Sequence, residues 1–253
     1  MVAEGATVSP NDDADSADRG QQVGAASCSD PEPLTPDAEL SDHRLVLGGG
    51  RVIEARYDDP LDLVWLFCAK RLGMTVVRSR EVFAAWDGKG TLTIADERDF
   101  DPDDCLAQLI FHEICHALVA GPEALTQVDW GLCNRDDRDI ASEFATHRLQ
   151  AALADPHGLR AFMGPTTEHR TYYDDLPDDA LGPGEPDGPR GMAGQAKGAD
   201  EAIWVAARSG WERATSVPWS EPIEDALTAT ASIARALGVA APEGSLWHGE
   251  GRG

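Results

Sequence analysis

The chain has 253 residues, with 45 acidic and 21 basic side chains and a formal net charge of −24. A surface of this charge repels nucleic acid and anionic lipid, so neither is expected as a partner. No secretory leader and no run of about 18 apolar residues is present, which predicts a cytoplasmic protein. The 5 cysteines are odd in number and form no CxxC pair, so reduced thiols are expected.

The organisation of the chain follows from changes in its composition. Residues 1–42 are acidic and lack apolar periodicity, so we expect them to be disordered. Helical and strand-like patterns alternate over residues 43–173 and predict one folded domain. Residues 174–200 are rich in Asp, Pro and Gly and predict a linker or long loop, and residues 201–253 predict a helical C-terminal region.

The folded domain opens with a predicted helix from Pro60 to Leu72, which Gly73 ends. Three strand-like runs follow. The last two flank a turn-forming Asp-Gly-Lys-Gly set, so we expect a small, mostly antiparallel sheet. The three runs are Met74–Val77, Val82–Trp86 and Thr91–Ala95.

The strongest helix signal runs from Cys105 to Ala120, with an N-cap candidate at Asp101 and a proline directly after it. Four further helices are expected, which together with the strands predict an α+β fold. They cover residues 137–154, 157–163, 201–208 and 221–237.

The strongest helix contains His112-Glu113-Ile114-Cys115-His116, an HExxH pattern. His112 and His116 lie one turn apart on one face, so both imidazoles can bind a single metal ion. Glu113 is rotated by about 100° from His112, where it can act on a metal-bound water without binding the metal. Cys115 is expected to be a small packed hydrophobe. The alternative is a pair of buried histidines that bind no metal.

A capped apolar HExxH helix directly after a strand hairpin resembles the zincin-like metalloproteins, over about residues 60–155. This resemblance implies an edge strand beside the site and a third ligand on the following helix. Glu143 is the expected third ligand. His147, one turn later, is an alternative ligand or a partner that orients Glu143.

Other interpretations of these acidic residues stay open at this stage. Glu143 is alternatively an exposed carboxylate paired with a neighbouring arginine. The rival ligands are aspartates for which turn and N-cap roles are favoured, namely Asp129, Asp136 and Asp139. His169, Tyr172 and Tyr173 are expected to form an aromatic cluster over the core, with a role as oxyanion donors as the alternative.

A second resemblance covers residues 112–139. After the HExxH motif come an Ala-Gly pair, Val128-Asp129-Trp130-Gly131, Cys133 and an Arg-Asp pair ending at Asp139, in the order found in the elongation factor P hydroxylases. The chain departs from that family at Ala117, where the family has an aromatic residue. The resemblance implies a redox-active iron centre, since two histidines and a carboxylate also describe non-haem Fe(II) sites.

Three hypotheses follow. The leading one is a zinc-dependent, metallopeptidase-like hydrolase of a peptide or protein substrate, with metal ligands His112, His116 and Glu143 and with Glu113 as the catalytic acid-base. The second is an Fe(II) hydroxylase that uses the same ligands. The third is an inactive zincin-like module that binds a partner through its edge strand and acidic surface.

Overall fold

The computed structural model divides the chain into two compact units, Met1–Ala55 and Arg56–Gly253. In the first unit, β1 (Val46–Leu47) pairs antiparallel with β2 (Arg51–Val52). The predicted disordered segment, residues 1–42, lies outside the residues that the structure describes. Those residues are 46–47, 51–52, 57–133, 139–164, 169–182 and 200–247.

The second unit is α+β, and its described part begins with helix α1 (Pro60–Arg71). The side chain of Asp59 accepts a hydrogen bond from Leu61 N at 2.8 Å and so starts this helix. Gly73, at φ +83°, follows the helix end as predicted.

The sheet of this unit has three strands in the order β3-β5-β4. β4 (Ala84–Trp86) and β5 (Thr91–Ala95) form the predicted antiparallel hairpin. β3 (Thr75–Ser79) pairs with β5 in parallel, so the sheet is mixed and the prediction of a mostly antiparallel sheet was wrong for this strand. β3 and β4 lie on either side of β5, so they are two strand spacings apart, about 9.6 Å, and residues 80–83 connect them across this gap. β5 then occupies the position between them.

Helix α2 (Leu106–Ala120) lies at the centre of the unit, and all its residues from Leu106 to Val119 are buried. It packs against α1, the sheet and two later helices. The predicted N-cap at Asp101 was wrong, because Asp101 O accepts a hydrogen bond from Asp104 N and closes a separate turn. The N-cap is Cys105, whose backbone N–H donates to Gln108 Oε1 at 2.7 Å.

Helix α3 (Ile140–Ala154) packs against α2 and ends where predicted. Residues 134–138, at the predicted start of this helix, lie outside the described residues. The predicted helix over residues 157–163 was wrong: a 3-10 turn, Asp155–His157, is followed by Gly158 at φ +69° and further turns. The left-handed conformation of Gly158 ends the helical hydrogen bonding.

Three later helices complete the described part of the second unit. The short α4 (Arg170–Asp174) contacts α3, and α5 (Asp200–Ala214) packs against both α2 and α3. α6 (Ser220–Gly238) packs against α1. Trp211 and Trp219 pack against the core. Each of the two C-terminal helices is longer than predicted.

The first residues of the predicted linker fold back onto the domain. Leu176 and Ala180 are buried, and Arg148 donates to Ala180 O at 2.8 Å. Residues 183–199 lie outside the described residues, and the predicted domain boundaries stay predictions. Within the described ranges, no helix combines the length and the apolar character needed to cross a bilayer.

Candidate metal centre

Helices α2 and α3 bring three predicted side chains to one point. His112 Nε2 and His116 Nε2 are 3.0 Å apart on α2. Glu143, on α3, faces both rings: Oε1 lies 3.3 Å from His112 Nε2, and Oε2 lies 3.1 Å from His116 Nε2. The two imidazoles and the carboxylate therefore converge as the sequence predicts, although their role as ligands stays a prediction.

The rival acidic residues have different positions. Asp129 Oδ1 accepts a hydrogen bond from Trp86 N at 3.1 Å, and Asp139 Oδ2 accepts one from Cys133 N at 2.6 Å. Neither belongs to a potential metal-binding group among the described residues. Asp136 lies outside those residues. His147, by contrast, forms such a group with His112 and Glu143.

Two polar side chains of α3 hold the imidazoles of α2. Gln150 Nε2 donates to Met163 O at 2.7 Å, which turns its oxygen toward His112 Nδ1, 2.9 Å away. Since that oxygen only accepts, neutral His112, the form able to bind a metal, carries its proton on Nδ1 and directs the Nε2 lone pair into the site. Thr146 Oγ1 lies 3.2 Å from His116 Nδ1 in the equivalent position. Contacts of this kind fix the tautomer and orientation of metal-binding histidines.

The spacing of the donor atoms fits a metal ion. Metal bonds of about 2.0 to 2.2 Å put neighbouring ligand atoms roughly 2.8 to 3.6 Å apart, depending on the coordination geometry. The three separations among His112, His116 and Glu143 lie within this range. The donor set also fits, because imidazole and carboxylate are ligands of zinc and of Fe(II). His112, Glu113 and His116 together form a group that could bind a metal, and the geometry does not determine which one.

The electrostatics of these groups favour a cation at the same point. Burial opposes charge on His112, but the Glu143 carboxylate outweighs it and raises the pKa of His112 to about 9. Burial alone would raise the pKa of Glu143, yet His112 and His116 hold that pKa well below its usual range. Glu143 is therefore an anion that attracts positive charge to the two rings.

Glu113 lies close to both histidines and is held by a tryptophan. Trp130 Nε1 donates to Glu113 Oε2 at 2.8 Å. The Trp130 ring stacks on Trp86 of β4, with centroids 4.5 Å apart and planes 10° apart. The edge strand β4 therefore supports the Glu113 carboxylate through the stacked rings of Trp86 and Trp130.

The segment that carries Trp130 has unusual backbone geometry. Asp129 (φ 47°), Trp130 (φ 58°) and Gly131 (φ 79°) are all left-handed. This conformation costs about 1 to 2 kcal/mol for a residue with a side chain. Glycine adopts the φ of Gly131 without strain, and a Cβ there would also lie 2.5 Å from Gln127 Oε1, the movable end of an exposed side chain. Asp129 offsets part of the strain through its bond to Trp86 N.

The site is enclosed but open at its carboxylate. The side chains of His112 and His116 are 6% and 8% exposed, whereas that of Glu143 is 20% exposed. Glu143 is therefore the most exposed of the three side chains. Cys115 is fully buried in the core, as expected, and its burial raises the pKa of the thiol well above its usual range.

The aromatic residues after the site form a cluster beside α3. Tyr172 stacks on Phe144, with centroids 3.9 Å apart, and His169 contacts Phe144 edge to face. Tyr173 OH donates to Arg160 O at 2.9 Å, so this hydroxyl is already paired, and the Tyr173 ring lies edge to face with His147. These contacts are those of the predicted aromatic cluster.

Two groups of residues at the site escaped the sequence analysis. Gln150 and Thr146 share one face of α3 with Glu143 and His147, at positions i, i+3, i+4 and i+7. A polar stripe where a buried helix normally has apolar residues was the available signal. Trp130 belongs to the motif of the second resemblance, but its contact with Glu113 had no signal in the sequence, because that contact depends on the left-handed turn.

Comparison of the chain with models of protein families, with curated proteins and with solved structures gives no match. The two resemblances therefore depend on the motif residues alone, and the functional argument depends on the geometry of the site.

Proposed function

We propose that this chain is a metal-dependent enzyme, specifically a zinc-dependent hydrolase that cleaves peptide bonds in a peptide or protein. His112, His116 and Glu143 would hold one divalent ion. The observation that supports the proposal is the convergence of two imidazoles and a carboxylate within 3.0 to 3.3 Å of one another, from two different helices.

When bound, the ion would supply Lewis-acid chemistry, lowering the pKa of a coordinated water and polarising a substrate carbonyl. Glu113 would take the proton from the attacking water and deliver it to the leaving amine. Trp130 supports this role by holding Glu113 Oε2, which fixes the orientation of the carboxylate. Gln150 would keep His112 in the tautomer that binds metal, and Thr146 would help to orient the ring of His116.

Glu113→Gln tests the catalytic assignment. The amide has the same size and cannot accept the proton, so we expect one equivalent of zinc to be retained while peptide cleavage falls by about 100-fold or more. Zinc is measured by elemental analysis, and cleavage of a mixture of unstructured peptides by mass spectrometry. Glu123→Gln, at an exposed position, is the matched control and should keep full activity.

Two outcomes would contradict this proposal. Full activity of Glu113→Gln with unchanged zinc content would remove Glu113 from the mechanism. A wild-type protein that takes up no metal would refute the enzyme proposal and favour the binding-module hypothesis.

An Fe(II) hydroxylase is the second candidate, and one observation favours it. The residues that resemble the elongation factor P hydroxylases lie against the site. Trp130 donates a hydrogen bond to Glu113, and Asp129 accepts one from the backbone N–H of Trp86 in β4. The same ligands would then hold iron, and Glu113 would tune the site electrostatically. Iron in protein purified without added metal, together with iron-dependent oxygen consumption, would support this candidate, and zinc without such consumption would exclude it.

A further inference from the structure

His147 is a buried polar residue beside the three-ligand site, and that site gives it no role. It lies at the middle of α3 with no exposed surface, and neither ring nitrogen has a hydrogen-bond partner among the described residues. Its ring lies 5.2 Å from that of His112, measured between centroids, and its Nε2 lies 3.2 Å from Glu143 Oε1. Buried polar groups are normally paired, so an unpaired imidazole at this point needs an explanation.

We propose that His147 is a fourth ligand of the same ion, so that the centre consists of three imidazoles and one carboxylate. This inference rests on the proposed metal site. A single donor atom from each of His112, Glu143 and His147 can be chosen so that all three lie within 4.8 Å of one another. That spacing allows both neighbouring and opposite positions around one ion, because opposite ligands with bonds of about 2.1 Å are roughly 4.2 Å apart.

The alternative role, in which His147 only orients Glu143, agrees less well with the geometry. An orienting histidine donates an N–H to a carboxylate oxygen. His147 Nε2 is close enough to Glu143 Oε1 for such a bond, at 3.2 Å, yet it makes no hydrogen bond. Two donor atoms that lie this close without a hydrogen bond between them are typical of two ligands of the same ion.

A four-residue ligand set has a consequence for the metal. Zinc with four protein ligands in a tetrahedron is a closed, structural site with no position left for water. A catalytic ion held by His112, His116, Glu143 and His147 must therefore accept a fifth or sixth ligand. Fe(II), Mn(II) and five-coordinate zinc satisfy this requirement, and the imidazole-rich set suits zinc and iron.

The full chain loaded with Co²⁺ tests this inference, because the visible bands of Co²⁺ report the ligands directly. We would compare the wild-type protein with His147→Ala and with His147→Leu, which fills the buried space without offering a donor. Both variants should bind Co²⁺ at least 10-fold more weakly. Their bands should move to longer wavelength, because water gives a weaker ligand field than the imidazole it replaces. His157→Ala, which removes a histidine paired with Glu224 on α6, is the control and should leave both readings unchanged.

The outcomes separate this inference from the proposed function. If both His147 variants keep the wild-type band positions, His147 is not a ligand, and the three-ligand site still stands. If the wild-type protein binds no Co²⁺, the metal site itself is refuted and the role of His147 with it. A shifted spectrum in His147→Leu with native helical content supports the fourth ligand even if His147→Ala unfolds.

Discussion

Trp130 lies outside the proposed ligand set but contacts Glu113, the residue proposed as the catalytic base. Its indole N–H holds one oxygen of Glu113, and its ring is stacked on Trp86. The left-handed backbone at Trp130 is an expensive conformation for a residue with a side chain. Strain of this kind persists where the surroundings determine it, and it often accompanies a functional site.

Trp130→Phe should therefore reduce turnover without removing the metal. Phenylalanine keeps most of the stack but cannot donate to Glu113, so the carboxylate loses its fixed orientation. We expect kcat to fall by about 10- to 100-fold with zinc content unchanged. Trp219→Phe, a tryptophan of the C-terminal part, is the control. An unchanged kcat in Trp130→Phe would show that the hydrogen bond has no catalytic role.

Gln150 would act on a bound metal through His112. Its side-chain oxygen holds the His112 proton on Nδ1, so Gln150→Leu should weaken zinc binding by about 10- to 100-fold, measured by competition with a chelator. Gln150→Glu keeps an acceptor for Nδ1 and should bind zinc more tightly than Gln150→Leu. Equal zinc affinity in wild type and Gln150→Leu would contradict the assigned tautomer.

At the scale of the elements, α5 packs against both site helices, and Gly210 lies at the junction. A Cβ at Gly210 would lie 2.7 Å from Leu149 Cδ2 of α3 and 3.3 Å from Val119 Cγ2 of α2. Gly210 is buried and helical, so the lack of a side chain serves here to let α5 pack close to α2 and α3, and no unusual backbone conformation is involved. Because α5 covers both helices, its position affects how Glu143 meets the two histidines.

Gly210→Ala should destabilise the fold by overpacking this junction. We expect the free energy of unfolding in urea to fall by about 1 to 3 kcal/mol, although alanine is the better helix former. Ser209→Ala, at the neighbouring position, is the control and should change stability by about 0.5 kcal/mol or less. A more stable Gly210→Ala protein would mean that α5 packs less closely than the structure indicates.

The edge strand β4 differs from the open strand that the zincin resemblance implies. The N–H of Trp86 donates to Asp129, and the indole N–H of Trp86 donates to Leu125 O. Part of the outer edge of β4 is therefore already paired within the chain. A partner or substrate that adds a strand would have to use the remaining edge.

The sequence predicted the elements whose signals are local. Helix α2 and the β4–β5 hairpin have continuous apolar or turn patterns, and both lie where expected. The N-cap of α2 was missed because Asp101-Pro102 favours a helix start as strongly as a turn. The parallel pairing of β3 was missed because strand order depends on contacts between distant residues, which no local pattern encodes.

For the site, the HExxH spacing predicted that His112 and His116 face the same point, and the position of Glu143 on the next helix completed the group. Helical periodicity fixes which side chains share a face, but it does not fix how two helices cross. The contacts of Gln150, Thr146 and Trp130 depend on that crossing and on the turn after α2, so they became visible only in the folded chain.

At the scale of the whole molecule, the centre joins two helices that together form the middle of the second unit. An ion that binds only the folded state stabilises it, by about 2.7 kcal/mol when its free concentration is 100 times its dissociation constant. A net charge of −24 also favours the approach of divalent cations. The metal is thus expected to contribute to folding as well as to catalysis.

Elemental analysis of the purified full chain, for wild type and His116→Ala in parallel, decides whether the proposed metal centre exists. We expect one equivalent of a divalent transition metal in the wild-type protein. We expect little or none in His116→Ala, with native helical content in both. A folded wild-type protein that remains metal-free when zinc or iron is supplied, or a His116→Ala protein that keeps its full equivalent, would contradict the proposed centre.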